Sequence, residues 1–366
     1  MFGFKKNRFL GIDIGVSSIK VVEIKISNNK PALSNYAWMN IPCNESEVQE
    51  DYFSKSLVQY FKKLLKEGVF KSSNAYAAIP AFGGLITLIE FPEMDNNDLE
   101  QAIKFEAHKY IPTSLDDVVV SWDILNKRSA TESLVKKKDE PDKKEHRLPE
   151  AGSKLQVLLV AAPKNRVANY EKLVKSSGLD LKYIEIESFS LQRSLVGNDP
   201  GNFVIIDIGA RVCNIVLAEK GVIKINRNID AGGRDITKII ARSMNVDEIR
   251  ADKLKSSGRE LLGKESGMQF PVLEIIVGEV KRVLKSYYSN EGEKKVDGVI
   301  LSGGTAGLAG IEKYFSEALN IKTIIGNPFG RIDYDKKLES KLMEIGSRFS
   351  VSVGLALRGA EEYLKK

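Results

Sequence analysis

The feature that most constrains the fold of this 366-residue chain is a short sequence that occurs twice. Residues 9–22 read FLGIDIGVSSIKVV and residues 203–216 read FVIIDIGARVCNIV, so a phenylalanine, two isoleucines, an aspartate, a glycine and a final valine coincide at a constant offset. Internal repetition indicates duplicated structural units. Because only two copies occur, the sequence predicts a pair of similar domains rather than a solenoid.

Each copy places a carboxylate near the end of an apolar strand. Side chains of a strand alternate between its faces, so Asp13 points away from the face that its isoleucine neighbours share. A buried carboxylate is costly without a partner, so Asp13 is expected to reach a cleft at the strand end. Gly15 and Gly209 predict hairpin turns whose backbone N–H groups suit phosphate oxygens. Two carboxylates, Asp13 and Asp207, suit a hydrated Mg²⁺.

A third glycine-rich segment supports the same interpretation. A single D-x-G motif is typical of an ordinary hairpin, and only the matching flanks of the second copy favour a ligand site. Residues 299–307 (VILSGGTAG) predict a buried strand that runs into a glycine turn and then a helix at 308–319. Backbone amides and a helix N-terminus at such a turn suit a sugar or a phosphate.

Strand-like runs alternate with helical patterns along the whole chain, which predicts an α/β architecture. The predicted strands are 9–15, 19–26, 32–41, 75–79, 85–91, 118–125, 155–162, 181–186, 203–208, 213–218, 222–229 and 298–301. The predicted helices are 51–66, 95–109 (capped by Asp95 or Asn97 and ended by Pro112), 165–176, a segment from 187, 234–244, 272–288, 308–319 and 347–364.

The composition is that of an ordinary globular protein, with 43% hydrophobic and 28% charged residues and a net charge of +6. No apolar run approaches the roughly 18 residues of a membrane span, and the first eight residues lack the apolar core of a signal peptide. Cys43 and Cys213 are expected to be reduced thiols. With His108 and His146 as the only histidines, zinc chemistry and a Ser-His-Asp triad are disfavoured.

The segment 127–153 differs in composition from its surroundings. It mixes lysines and arginines with acids, has few apolar residues and predicts a disordered surface loop. A nucleic-acid-binding patch is the alternative interpretation. It is disfavoured because acids interleave with the bases and no aromatic side chain is present for stacking.

Together these motifs resemble the superfamily of actin, DnaK-type chaperones and sugar kinases. The resemblance implies a two-domain actin-like (ribonuclease H-like) fold that binds ATP and Mg²⁺. It implies that Asp13 and Asp207 organise Mg²⁺, partly through water, and that Glu187 activates a water molecule, with Glu185 and Gln192 as rivals. The residues that it places at the nucleotide are Gly15, Ser17, Ser18, Lys20, Gly209, Gly232, Gly233, Glu279, Arg282, Gly303, Gly304 and Thr305.

Two of these assignments have plain alternatives. Lys20 has the actin-type spacing after Asp13 and would meet the β- and γ-phosphates, but a lysine exposed on an edge strand would fit the pattern equally. Glu279 and Arg282 have helical i, i+3 spacing and would reach the ribose and adenine. The same spacing is more often that of a surface ion pair.

Four stretches are similar to the PilM family, the FtsA-like components of type IV pilus machines: GIDIGVSSIKVVEIK, FPEMDNNDLEQAIKFEAHKYIP, GGRDIT and FSVSVGLALRG. This resemblance implies one actin-like domain at 1–200, an inserted αβ subdomain at about 81–162, a second domain at 201–342, and a helix at 343–366 that returns to the first domain.

The same resemblance implies partners and a location. The N-terminal peptide of a PilN-like inner-membrane protein would bind in a groove beside the inserted subdomain, and pilus motor ATPases are a further candidate partner. The chain would work at the cytoplasmic face of the inner membrane in a pilus, competence or secretion machine. It would reach the membrane only through partners and would bind no nucleic acid.

Three other functions compete with a nucleotide-binding scaffold. A working ATPase, at most slow and Mg²⁺-dependent, additionally needs a positioned water near Glu187. A small-molecule kinase needs a substrate pocket for which the sequence has no motif. An FtsA-like filament former in cell division shares most motifs. However, FtsA proteins end in an amphipathic membrane helix, and this sequence ends directly after a predicted core helix.

Overall fold

The computed structural model describes residues 7–41, 55–111, 113–128, 154–263, 266–291 and 294–365. Cys43, Pro112, His146 and most of the predicted loop lie outside these ranges. The chain divides into two compact units. The first comprises Met1–Phe82 together with Arg166–Lys366, and the second comprises Gly83–Asn165.

The strands of the described residues are β1 (Arg8–Ile14), β2 (Ser18–Ser27), β3 (Lys30–Asn40), β4 (Asn74–Ile79), β5 (Leu85–Pro92), β6 (Val118–Arg128), β7 (Lys154–Pro163), β8 (Asp180–Ile186), β9 (Asn202–Ile208), β10 (Cys213–Glu219), β11 (Val222–Ile229), β12 (Gly298–Ser302) and β13 (Thr323–Ile325). The α-helices are α1 (Lys55–Gly68), α2 (Asn96–Ala107), α3 (Lys164–Ser176), α4 (Glu187–Leu195), α5 (Gly233–Met244), α6 (Glu248–Lys255), α7 (Pro271–Glu291), α8 (Ile311–Leu319), α9 (Glu339–Ile345) and α10 (Ser350–Leu364).

The first unit contains two five-stranded sheets of the same design. Their strand orders are β3-β2-β1-β4-β8 and β11-β10-β9-β12-β13. In each sheet the strand with the repeated aspartate pairs antiparallel with the next strand of its hairpin and parallel with a strand on its other side. The duplication predicted from the two sequence copies is therefore confirmed. The two aspartates lie on β1 and β9, which are central strands because each is paired on both sides.

Helix α10 packs against the first sheet through glycines. A Cβ atom built on Gly11 of β1 would lie 1.8 Å from the carbonyl oxygen of Ser352, and one on Gly354 would lie 2.0 Å from the carbonyl oxygen of Ser190 in α4. Backbone atoms cannot move aside as a flexible side chain can. The small-residue pattern in the last predicted helix therefore lets α10 approach β1 and α4 closely. This close packing fixes the position of β1, the strand that contains Asp13.

We expect Gly11→Ala to lower the free energy of unfolding by about 3 kcal/mol, because the added methyl group has no space against the α10 backbone. Gly278→Ala in α7 is the matched control, since a Cβ atom there meets nothing within 4 Å. The control should be neutral or stabilising by up to about 1 kcal/mol through helix propensity. Urea unfolding followed by circular dichroism measures both, and equal stability of the two variants would contradict the close packing.

The second unit is a three-stranded antiparallel sheet, β5-β7-β6, with α2 on one face. Its core joins sheet residues such as Phe91 and Val157 to Leu99 and Ile103 of the helix. The carboxylate of Asp95 accepts hydrogen bonds from the backbone N–H groups of residues 97 and 98 and so caps α2. Of the two predicted caps, Asp95 is therefore the one used.

Three predicted boundaries are wrong. Lys127 and Arg128 were expected in a disordered loop, but they lie in β6 and pair with the start of β7. The helix expected from residue 308 begins at Ile311, because Gly310 has the left-handed φ of 82° and a 3-10 turn occupies Gly304–Gly307. The helix expected from residue 347 begins at Ser350, after another 3-10 turn.

Candidate functional site

The two repeated hairpins have the same turn geometry. The backbone N–H of Gly15 donates to the carbonyl oxygen of Ser18 at 2.9 Å, and that of Gly209 donates to the carbonyl oxygen of Val212 at 3.1 Å. Ser17 lies within the first turn, and its carbonyl oxygen accepts from the N–H of residue 41 at 2.9 Å. Both turns are therefore fixed four-residue loops at the ends of β1 and β9.

The first hairpin carries a partly buried ion pair. The Nζ of Lys20 lies 2.8 Å from Oδ2 of Asp13, and the two side chains are only 14% and 13% exposed. They face each other across β1 and β2 in direct register. The alternative interpretation of Lys20 as a solvated lysine on an edge strand is wrong, because β3 covers β2 on its other side.

The second hairpin lacks this lysine. Asn214 occupies the equivalent place opposite Asp207, as the constant offset of the repeat requires. Its Nδ2 donates to Oγ of Ser188 at 3.0 Å, and that hydroxyl donates to Oδ1 of Asn226 at 2.9 Å. The second hairpin is therefore bonded to the first turn of α4, next to Glu187.

Among the described residues, Asp207 forms no ion pair like that of Asp13 with Lys20. Burial raises the pKa of Asp207 to about 6, a hydrogen bond from Ser302 lowers it, and the nearby charge of Asp13 raises it. Ser302 is the register partner of Asp207 on β12. The two repeated aspartates therefore lie close enough to act on each other electrostatically. That they line opposite walls of one cleft stays a prediction.

Glu187 is the third carboxylate of this cleft. Burial raises the pKa of Glu187 to about 8; repulsion from Asp207 and Asp13 adds to the shift, while the N–H of Ala81 and the charge of Lys20 oppose it. Its Oε1 accepts from the backbone N–H of Ala81 at 3.0 Å. The charge of Lys20 thus lowers the pKa of both Glu187 and Asp207, against the larger effect of burial.

The two rivals of Glu187 lie in structural contacts. Glu185 is 7% exposed and forms a double hydrogen bond with Arg193 at 2.6 and 3.0 Å. Gln192 donates from Nε2 to the carbonyl oxygen of Gly197 at 2.8 Å. Both side chains make structural contacts around α4, and the choice of Glu187 over them stays a prediction.

A glycine-lined wall continues the site. The N–H of Gly233 donates to the carbonyl oxygen of Gly209 at 2.8 Å, which joins the second turn to the start of α5. A Cβ on Gly233 would lie 2.2 Å from Oγ1 of Thr305, and one on Gly232 would lie 2.7 Å from the carbonyl oxygen of residue 210. Glycine is therefore required at both positions by close packing against the neighbouring loops.

The turn after β12 is open on one side. Gly303 has a φ of 87°, and a Cβ there would lie 2.4 Å from the carbonyl oxygen of Ile208. By contrast, a Cβ on Gly304 meets nothing within 4 Å. Gly304 is exposed, and a flat group could lie against its backbone without meeting a side chain.

Lys255 supports this wall and was not predicted. Its Nζ donates to the carbonyl oxygen of Gly233 at 3.1 Å and to Oγ1 of Thr237 at 2.8 Å. It also forms an ion pair with Asp252 at 2.6 Å. No sequence motif singled it out, whereas the role of Asn214 was visible in the alignment of the two copies.

Glu279 and Arg282 form an ion pair on α7, with 2.8 Å between Nη1 and Oε2. Arg282 is 79% exposed and Glu279 is 17% exposed. This is the surface pair that the helical spacing allows. Their predicted contact with a nucleoside stays a prediction.

The raised pKa of Glu187 gives a pH dependence with a definite sign. The folded protein keeps a proton on this carboxyl that the unfolded chain, with a pKa of 4.5, releases. The resulting stabilisation is complete below about pH 4.5 and is lost as the pH rises through about 8. We therefore expect the melting temperature of the nucleotide-free protein to fall between about pH 4.5 and pH 8.

Glu187→Gln should remove most of this fall above about pH 7, because the amide does not ionise and can still accept from Ala81. Glu100→Gln, on the exposed face of α2, is the control and should keep the wild-type pH profile. Differential scanning fluorimetry across the pH range measures all three proteins. A Glu187→Gln profile parallel to that of the wild type would contradict the assignment.

The Type IV pilus assembly protein PilM family matches residues 11–138 and 143–360 of the chain. The chain belongs to the PilM family. A solved chain titled PilM-PilN type IV pilus biogenesis complex is 26% identical, with a TM-score of 0.75 over 96% of this chain and 98% of that one. The actin-like fold predicted for a PilM relative is thereby confirmed.

More distant relatives share the architecture. The ethanolamine utilization protein EutJ from Carboxydothermus hydrogenoformans is 16% identical, with a TM-score of 0.53 over 96% of this chain and 89% of that one. The cell division protein FtsA of Helicobacter pylori strain 26695 is 24% identical over 57% of this chain and 48% of its own length. FtsA of Enterococcus hirae is 24% identical over 47% and 45%. The chain thus spans about half the length of these curated relatives.

No described helix is long and apolar enough to span a bilayer. Within the described ranges, no three His, Cys, Asp or Glu side chains are grouped so that they could hold a metal ion by themselves. Cys213 is a buried free thiol whose pKa burial raises well above its usual value.

Proposed function

We propose that this chain is an ATP-binding, actin-like scaffold of a type IV pilus assembly platform. It docks the N-terminal cytoplasmic peptide of a PilN-like bitopic membrane protein and works at the cytoplasmic face of the inner membrane. The observation that carries the proposal is the likeness, over 96% of the chain, to a protein from a PilM-PilN complex. The family match over nearly the whole length supports it and does not favour the FtsA-like or kinase alternatives.

The cleft chemistry supports ATP with Mg²⁺ as the ligand. Asp13, Asp207 and Glu187 present three carboxyl groups, and Lys20 pairs with Asp13. Burial is the main cause of the raised pKa values of Glu187 and Asp207, and repulsion between the carboxyl groups adds to both shifts, so bound positive charge would stabilise their ionised forms. Mg²⁺ would supply that charge and needs only one or two protein carboxylates when phosphate oxygens complete its shell.

The backbone supports the remaining assignments. The turns that would hold the phosphates contain Gly15, Ser17, Ser18 and Gly209. Lys20 would give up its ion pair with Asp13 and bind the phosphates instead. The wall on which the nucleoside would lie is formed by Gly232, Gly233, Gly303, Gly304 and Thr305. Glu279 and Arg282 would close its outer side, and Glu187 would orient water in any slow hydrolysis.

Peptide binding tests the scaffold role directly. A fluorescent peptide with the N-terminal cytoplasmic sequence of a PilN-like protein from the same genome is titrated into the full chain and followed by anisotropy. We expect a dissociation constant in the micromolar range or below, and at least about tenfold weaker binding of a scrambled peptide. Equal binding of both peptides would overturn the docking role while leaving nucleotide binding standing.

A further inference from the structure

The second unit is attached to the first by two chain crossings, at residues 82–83 and 165–166. Strand β4 leads to the outgoing crossing through Ala81 and Phe82. Because β4 and β8 are parallel neighbours with Ile79 opposite Ile186, their ends lie side by side. The residue that follows β8 is Glu187, and its Oε1 accepts the N–H of Ala81 at 3.0 Å.

The two crossings also contact each other within the first unit. The guanidinium carbon of Arg166, on the returning crossing, lies 5.0 Å from the ring centroid of Phe82 on the outgoing crossing. A cation over an aromatic face is attracted by the ring quadrupole, and such contacts are worth about 0.5–1 kcal/mol at partly exposed positions. Phe82 is 41% exposed, so this contact is weak enough to respond to movement of its backbone.

Glu187 connects these crossings to the charges of the cleft. Its carboxylate feels repulsion from Asp207 and Asp13 and attraction to Lys20. Any ligand that changes the charge balance of the cleft therefore changes the force on the group that holds Ala81. Mg²⁺ bound beside Asp13 and Asp207 would offset the effect of their charges on Glu187, so that its Oε1 accepts the Ala81 N–H more strongly.

We propose that the Glu187–Ala81 hydrogen bond and the Phe82–Arg166 contact form a relay that transmits occupancy of the Asp13–Asp207 cleft to both crossings that carry the second unit. This inference rests on the proposed function, because it takes nucleotide as the cleft ligand. It adds a physical route by which nucleotide regulates the unit bounded by Gly83 and Asn165. Two sites are allosterically coupled when one ligand biases a shared element, and the crossings are that element.

Hydrogen exchange measured by mass spectrometry on the full chain tests the relay. The probe is the non-hydrolysable analogue AMPPNP with Mg²⁺, at a concentration shown by calorimetry to saturate each protein. In the wild type we expect exchange to slow about fivefold in peptides covering residues 79–85 and 163–170, because opening of a strengthened hydrogen bond becomes rarer. The peptide covering residues 96–107, in helix α2, is the internal control.

Three variants separate the two contacts. Glu187→Ala removes the acceptor of the Ala81 N–H, so both crossings should lose their response to saturating nucleotide. Glu187→Gln keeps an acceptor oxygen and should keep at least part of the response. Phe82→Leu keeps an apolar side chain but removes the ring, so the response should persist at 79–85 and disappear at 163–170.

The possible failures are distinct. A wild-type protein that binds nucleotide without any change at the crossings overturns the relay and leaves the proposed function intact. A full response in Glu187→Ala at saturating nucleotide also overturns it. Absence of nucleotide binding in calorimetry removes the proposed cleft ligand and the relay together.

Discussion

We expect Gly304→Trp to abolish ATP binding while leaving the melting temperature within a few degrees of the wild type. This is the expected result if the turn after β12 is a wall of the nucleotide site. A Cβ at Gly304 meets nothing within 4 Å, so the indole would project into open space and the fold would tolerate it. The same open space is where the nucleoside is proposed to lie. We expect at least a roughly thousandfold loss of affinity, or about 4 kcal/mol.

Gly304→Ala is the graded control for this variant, because a methyl group occupies only a small part of the same space. Its affinity should lie between those of the wild type and Gly304→Trp. Isothermal calorimetry with Mg²⁺ and ATP measures affinity, and scanning calorimetry measures stability. Tight ATP binding by a folded Gly304→Trp protein would remove this wall from the site.

Asp13→Asn is expected to remove the Mg²⁺ dependence of nucleotide binding. In the wild type, Asp13 holds Lys20 at 2.8 Å and is one of two aspartates proposed to organise the ion. The amide loses the charge that attracts Mg²⁺, and Lys20 becomes available to phosphate without competition. We expect the Mg²⁺-dependent part of the affinity to fall about a thousandfold, or about 4 kcal/mol.

The measurement compares ATP affinity with Mg²⁺ and with EDTA for each protein. The ratio of the two affinities should approach one in Asp13→Asn. Asp98→Asn, at the exposed start of α2, is the matched control and should keep the wild-type ratio. If the Asp13 variant keeps that ratio, the aspartate at the end of β1 does not organise Mg²⁺.

Local sequence signals determined much of the fold. The alternation of apolar residues and the glycines that follow Asp13 and Asp207 define two hairpins of equal length, because strand period and turn chemistry act over a few neighbouring residues. The register of the second hairpin then places Asn214 opposite Asp207, as Lys20 lies opposite Asp13. Boundaries were less secure, because the 3-10 turn at Gly304–Gly307 and the left-handed Gly310 delay the start of α8 to Ile311.

Only the tertiary structure decided how the charged groups of the site are used. Glu185, Glu187 and Gln192 lie within eight residues, and spacing alone could not choose among them. The structure shows only their contacts: because β8 ends beside β4, Glu187 meets Ala81, 106 residues away, while Glu185 pairs with Arg193.

The sequence likewise could not tell whether the side chain of Lys20 is exposed on an edge strand or buried against Asp13. The answer depends on β3, which pairs with β2 and so removes β2 from the sheet edge. The sequence by itself therefore determined the duplicated hairpins and the residue types at their tips. Which carboxylates share the cleft, and which lysine balances them, depended on strand order and long-range packing. Those arise from contacts between distant segments, for which the local pattern carries no signal.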